Sequence, residues 1–376
     1  MAKQYTLDEM RFRAMEFLED AKDSNETTFK NYRTSINYFL YLMDCNKHRF
    51  ATIDEDNKYK ALNKFKNCLL NGFTYEVESV DDVLGYTEKT FKPVKRTVKV
   101  NANGVNTHLR RITTFFNQCL HLRIKSNEFK KCQVDKPKIK ALKIDHVKLL
   151  IDECSNCWKK KEIATRNATL IELLFSNALR IREALEITIN DTNFIDYNDE
   201  TNKTTLKTNI GECCIIIHQK GRVNKDKSIK IAKPVAEHII NYINIKKVPS
   251  DYVFSTTRAS TNGKAKALSR EWFNKDMNKL ASFVDSNHDT HVPTKDEEIY
   301  NKDVDAYYDY NNICEVVKNN SSHFLRHSRA IYNLKILGMD IRTLQKFLRH
   351  SEISSTMIYT DSSDKEVDNI NITYVF

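Results

Sequence analysis

The sequence predicts a mostly α-helical protein with a small β component, an α+β chain of more than one domain. Three observations carry this. Apolar residues recur at steps of three and four in several stretches, two β-branched runs flank one polar basic turn, and 376 residues exceed one ordinary domain.

The elements follow in chain order. In "TLDEMRF" Thr6 stands three residues before Glu9, the pattern of a capping box that opens a helix. In "TTFKNYRTSINYFLYLM" the residues Phe29, Tyr32, Ile36, Phe39, Leu40 and Met43 share one helical face. "ALNKFKNCLLNGF" offers a third helix, and "GVNTHLRRITTFFNQCLHL" aligns Val105, Leu109, Ile112, Phe116 and Leu120. Such helices pack as a small bundle. Residues 1–25 read as a helical extension and 26–130 as a helical domain, with "GYTEKTFKPVKRTVKVNANG" between its helices as a basic loop carrying Lys89, Lys92, Lys95, Arg96 and Lys99. Residues 131–144 are basic, without period, and contain a proline, which marks a linker.

Beyond the linker the pattern changes. "IDHVKLLIDEC" and "EIATRNATLIELLFSNALRIREALEI" read as helices, and "ECCIIIHQKGRVNKDKSIKIAKP" as a hairpin with "KGRVNKDK" at its tip. A turn-rich stretch, "STTRASTNGKAKA", precedes the helical "LSREWFNKDMNKLASFV". The acidic region from 285 to 320 lacks an apolar period and reads as an exposed insertion. Residues 323–360 are helical again, and a tail over 361–376 closes the chain.

Composition narrows the function classes. No 18-residue apolar run and no signal-peptide pattern are visible, so the expectation is a soluble protein of the cytoplasm. Nine scattered cysteines fit reduced thiols better than a disulfide framework, and the single CxxC of Cys154 and Cys157 is too weak a signal to assign a metal. The net charge of +10 favours an anionic partner without naming it.

The chemistry concentrates in "HFLRHSRAIYNLKILGMDIRTLQKFLRHSEISSTMIYT", residues 323–360. His323 and Arg326 lie one helical turn apart and address one ligand together. His350 and Tyr359 follow, and upstream stand Arg180 in "SNALRIREALEI" and Lys220 at the hairpin tip. Transfer at a phosphodiester needs guanidinium forks on the nonbridging oxygens, a nucleophile, and a proton donor for the leaving oxygen. Tyrosine can supply the nucleophile and lysine or histidine the proton.

In this order, "ALRIREAL", "HQKGRVNKDKSIKI", "HFLRH", "FLRHSEIS" and "MIYT" closely resemble the catalytic domain of tyrosine recombinases, the Xer-type and phage or transposon integrases. The resemblance covers residues 145–360, and the preceding helices look like that family's core-binding domain. It implies a two-domain clamp around duplex DNA. Arg180 matches the first catalytic arginine, Glu183 the supporting acid, and Lys220 the general acid toward the leaving 5′ oxygen. His323 and Arg326 match the HxxR pair, His350 the second histidine, and Tyr359 the nucleophile that becomes linked to the 3′ phosphate. Arg222 and Lys225 beside Lys220, together with the basic loop, become candidate DNA contacts.

The resemblance implies no metal and no cofactor. Its partners are a double-stranded recombination site and three further copies of the chain, four protomers passing through a Holliday junction on two sites, with the 361–376 tail exchanged between neighbours and the protein associated with the nucleoid. The expected job is integration or excision of a mobile element. Xer-type chromosome dimer resolution, a type IB topoisomerase and a catalytically silent DNA-binding protein are the alternatives. Two departures stand out. The family usually has Thr-Gly where this chain has Asn177 and Ala178, and Gly where it has Arg349, so the local turns are expected to be rebuilt.

Overall fold

The computed structural model describes residues 4–24, 26–77, 94–125, 129–134, 139–198, 203–207, 211–218, 226–292, 308, 310–320 and 323–360. They fall into two compact units, Met1–Lys136 and Pro137–Phe376. Helix dominates both, and among the described residues every sheet is a two-stranded antiparallel ladder.

In the first unit β1 (Gln4–Thr6) leads into α1 (Leu7–Ser24). The Glu9 carboxylate accepts the Thr6 amide at 2.7 Å, and Thr6 Oγ1 accepts the Glu9 amide at 3.2 Å, which closes the expected box. α1 lays Met10, Ala14 and Leu18 on α2 (Glu26–Asp44), which returns Ile36, Phe39, Leu40 and Met43. After the single turn of α3 (Lys47–Phe50), β2 (Thr52–Asp54) pairs with β1. α4 (Lys58–Asn71) and α5 (Ala102–Phe115) complete the core with Leu62, Phe65 and Leu69 and with Val105, Leu109 and Ile112. Phe39 meets the ring edges of Phe65 and Phe116 at 5.4 and 5.3 Å.

The basic stretch expected to be a loop is instead strand in its described half: β4 (Val94–Val98) pairs residue for residue with β3 (Phe73–Val77). Phe73 and Tyr75, two residues apart and so on one face, pack on Tyr38 and Tyr41 of α2. The apolar support for the ladder comes mainly from β3, with Val98 of β4 beside it, and the basic sequence around β4 gives little hint of it.

The second unit is built around α8 (Lys161–Asn177), preceded by α6 (Ile144–Asp152) and the short α7 (Cys154–Cys157). Leu170, Ile171, Leu173 and Leu174 of α8 are buried, each contributing on the order of 2 kcal/mol. The chain turns at residues 178–180 into α9 (Ile181–Leu185). The β5 (Ile195–Asn198) and β6 (Lys203–Leu206) ladder follows, then β7 (Cys213–Ile217) paired with β8 (Lys227–Ile231), the expected hairpin. α10 (Lys233–Ile245) packs on α8. A further hairpin, β9 (Ser255–Ala259) with β10 (Ala265–Ala267), occupies the stretch read as turns, and α11 (Arg270–Asn287) follows.

The acidic region is not wholly an exposed insertion. Its end forms α12 (Ile313–Asn320), which buries Ile313, Val316 and Val317, while Tyr308 and Tyr310 are also buried. Asp285 caps this helix by accepting the Ile313 and Cys314 amides at 3.0 and 2.9 Å. Residues 293–307 lie outside the described residues. The unit closes with α13 (Phe324–Ile331), α14 (Ile341–Leu348) and the one-turn α15 (Ser354–Met357). Among the described residues no helix is long and apolar enough to cross a membrane.

Candidate active site

Two turns build the site, and both pass through left-handed backbone at residues other than glycine. α8 ends at Ala178 with φ 46°, and α14 ends at Arg349 with φ 58°. A side chain resists that region, so surrounding contacts must hold each turn in place. The first turn places Arg180 at the N-cap of α9, where its amide donates to Glu183 Oε2 and its Nη1 to Glu183 Oε1, each at 2.8 Å. The second turn presents His350.

Arg326 on α13 ties the turns together. It is 3% exposed, and its Nη1 donates to the Ala178 carbonyl at 2.5 Å while Nη2 donates to the Leu348 carbonyl. A guanidinium has five N–H donors, so donors remain for an incoming ligand. Burial, with Arg180 and Arg349 close by, lowers its pKa, yet a guanidinium stays charged at neutral pH. His323 stands one turn earlier, at the start of α13, and is exposed. Although the residue reaches solvent, the protein packed around its ring desolvates it, and this, then the charges of Arg326, Arg180 and Arg270, keeps it below its ordinary pKa.

Tyr359 is 1% exposed and lies just beyond α15. Its hydroxyl meets His327 Nδ1 at 2.8 Å. Burial pushes the phenol up to about 12, against the pull of Arg326 and Arg180. His327 goes the other way, down to about 4, from burial and then the nearby His323 and Arg326. His350 Nδ1 meets Thr356 Oγ1 at 2.9 Å, and burial followed by Arg326, Arg180 and Arg349 takes it to about 4. Both of these imidazoles are neutral at pH 7. Glu183 stays ionised: burial disfavours its charge, but Arg349 and the hydrogen bonds from Arg180 hold it below the ordinary carboxylate range.

Arg180, Glu183, His323, Arg326, His350 and Tyr359 are thus brought into one electrostatically coupled site. Three guanidiniums, those of Arg180, Arg326 and Arg349, face one carboxylate, and that surplus suits an anionic ligand. Lys220, Arg222 and Lys225 lie outside the described residues. The base of their hairpin is braced where His218 meets Asp226 at 2.8 Å and Asp191 at 3.0 Å. Lys89 and Lys92 are likewise outside the described residues, while Lys95, Arg96 and Lys99 are exposed in the first unit. The motif reading missed His327, although it falls four residues after His323 and so on the same helical face. It also registered Arg349 only as a departure, and not as a partner of Glu183.

The family model described as "Phage integrase family" matches residues 140–366, more than half of the chain. The chain belongs to the phage integrase family. Within that family it is 26% identical over 227 residues to tyrosine recombinase XerD of Halalkalibacterium halodurans, an alignment covering 59% of this chain and 56% of that relative. The chain therefore spans little more than half the length of this curated relative. Two solved structures share the fold. XerH site-specific recombinase bound to difH substrate matches with a TM-score of 0.54 and 15% identity, over 96% of this chain and 84% of that one. The Tn1549 transposon integrase in complex with transposon right end DNA matches with a TM-score of 0.54 and 13% identity, over 96% and 98%.

Proposed function

We propose that this family member is a site-specific recombinase that cleaves and rejoins duplex DNA through a 3′-phosphotyrosine at Tyr359. The observation that supports it is the hydroxyl of a buried tyrosine beside a cluster of guanidiniums with surplus positive charge. The scissile phosphate would lie against Arg180 and the free donors of Arg326, where charge develops on its nonbridging oxygens. Tyr359 Oη gives its proton to the neutral His327 imidazole beside it and forms the bond to phosphorus as the bond to O5′ breaks, and Lys220 donates a proton to O5′. The phosphotyrosine keeps the bond energy, so a 5′ hydroxyl from another strand reverses the step and returns the proton. We extend the proposal to four copies of the chain clamped on two sites through a Holliday junction, serving a mobile element.

Trapping tests the chemistry even while the target sequence is undefined. A pool of nicked duplexes with randomised flanks releases a short fragment after cleavage and prevents religation. Wild type is expected to give SDS-resistant protein–DNA adducts, and Tyr359→Phe to bind the same duplexes without adduct. Equal adduct from the variant would move the nucleophile elsewhere. Absence of adduct from wild type would favour a silent DNA-binding protein. The recovered sequences then define the site, and direct repeats matching it around the gene would support the mobile-element setting over chromosome dimer resolution.

A further inference from the structure

The strand-cleavage reading leaves one buried charge of the site without a role. Arg349 sits at the position where the sequence resemblance leads to glycine, with φ 58° and a side chain 5% exposed. Its Nη1 donates to the Phe347 carbonyl at 2.9 Å and the Asn177 carbonyl at 3.3 Å. Its Nη2 donates to the Ala178 carbonyl at 3.0 Å and to Glu183 Oε2 at 3.3 Å. These acceptors include the last residue of α8, the turn residue Ala178 and the carboxylate that holds Arg180. The Ala178 carbonyl serves Arg326 as well.

From this geometry we infer that Arg349 is a positioning residue: its guanidinium locks Glu183, and through it Arg180, against the turn that presents His350. The inference rests on the recombinase reading for what the site does, and on the bonds above for how it is held. Stability alone is a poor reason to keep this group. A buried ion pair seldom repays its desolvation, the left-handed backbone opposes a side chain, and Nε is buried with no partner. A glycine would relieve the strain but leave Arg326 alone to bridge the two turns and Glu183 without its second guanidinium. The cation also contributes to the positive field on Arg326 and His350 and holds Glu183 ionised. In this chain a side chain thus replaces a flexible turn as the link between the first arginine and the second histidine.

Arg349→Gly and Arg349→Lys test this on the duplex recovered from the wild-type adduct. Arg349→Gly is expected to melt near wild type and to bind DNA with similar affinity, while forming adduct about tenfold to a hundredfold more slowly at saturating DNA. Added guanidinium ion should restore part of that rate, which a purely structural defect would not allow. Arg349→Lys, which keeps the charge but loses the planar fork, should fall between. A second readout needs no DNA: the ¹³C carboxyl titration of Glu183, identified with Glu183→Gln, should move upward in Arg349→Gly. Unchanged adduct rate together with an unchanged Glu183 titration overturns the inference. Failure of both variants to fold also overturns it, because Arg349 would then hold the fold and not the site. Lack of adduct from wild type would sink the recombinase reading alone, and the Glu183 titration would still decide whether Arg349 governs that carboxylate.

Discussion

Arg180 and Arg326 carry the same group in opposite surroundings. The Arg180 side chain is 40% exposed and held by one carboxylate, whereas Arg326 is 3% exposed and spends two donors on backbone carbonyls from distant turns. The Arg180 end of the site is therefore open to a ligand, whereas the Arg326 end also holds two turns of the fold in place. Under the proposed reaction Arg180 faces the ligand alone, while Arg326 faces the ligand and bears part of the fold.

The contrast is broken most sharply by alanine at each position. Arg326→Ala should slow adduct formation by about a thousandfold and destabilise the second unit by about 3 kcal/mol, because the Leu348 carbonyl loses its donor, the Ala178 carbonyl keeps only Arg349, and a buried side chain is removed. Arg180→Ala should slow the reaction comparably yet change stability by only about 1 kcal/mol, because the Arg180 end of the pair is open to solvent and the buried Glu183 carboxylate keeps Arg349 and the residue-180 amide. Adduct kinetics beside urea denaturation separate the two. Equal stability losses would erase the distinction between open and closed sides.

His327 sharpens it through pH. Its folded pKa of about 4 lies below the ordinary 6.5, so the unfolded chain binds the proton first as pH falls. Its stability contribution is complete above about pH 6.5 and is lost as pH falls toward 4, at up to about 1.4 kcal/mol per unit. His218 on the hairpin is raised by its bonds to Asp226 and Asp191 and runs the opposite way. His327→Phe should therefore flatten the acid limb of a stability–pH curve, at a cost of about 1–2 kcal/mol at pH 7 from removing the buried hydrogen bond to the Tyr359 hydroxyl. An unchanged acid limb would mean that His327 is protonated in the fold.

The smallest effect belongs to the first turn. Ala178→Gly relieves left-handed backbone at about 1 kcal/mol but removes a buried methyl worth about 0.8 kcal/mol. The two nearly cancel, so the melting temperature should barely move. A large loss would show that the methyl, and not the carbonyl, is what the site needs from Ala178.

The helices were legible because burial imposes period: Ile36, Phe39, Leu40 and Met43 all lie in the core where their spacing put them. The β7–β8 hairpin was legible from its β-branched runs. The β3–β4 ladder was not, since its apolar face rests chiefly on Phe73 and Tyr75, with only Val98 from the basic partner strand. Nor was α12, whose buried residues are few and whose cap, Asp285, lies 28 residues away. Motifs revealed the reacting groups because phosphoryl chemistry restricts residue type. They did not reveal what holds those groups, because the contacts of Arg349 and His327 depend on where separate turns meet.

The measurement that bears most directly on the account is the identity of the residue joined to DNA. Trapped adduct from the randomised nicked pool would be digested with nuclease and protease, and the modified peptide sequenced by mass spectrometry. Cleavage by the proposed route leaves a nucleotide joined through its 3′ phosphate to Tyr359. A linkage on any other residue, or through a 5′ phosphate, would contradict it.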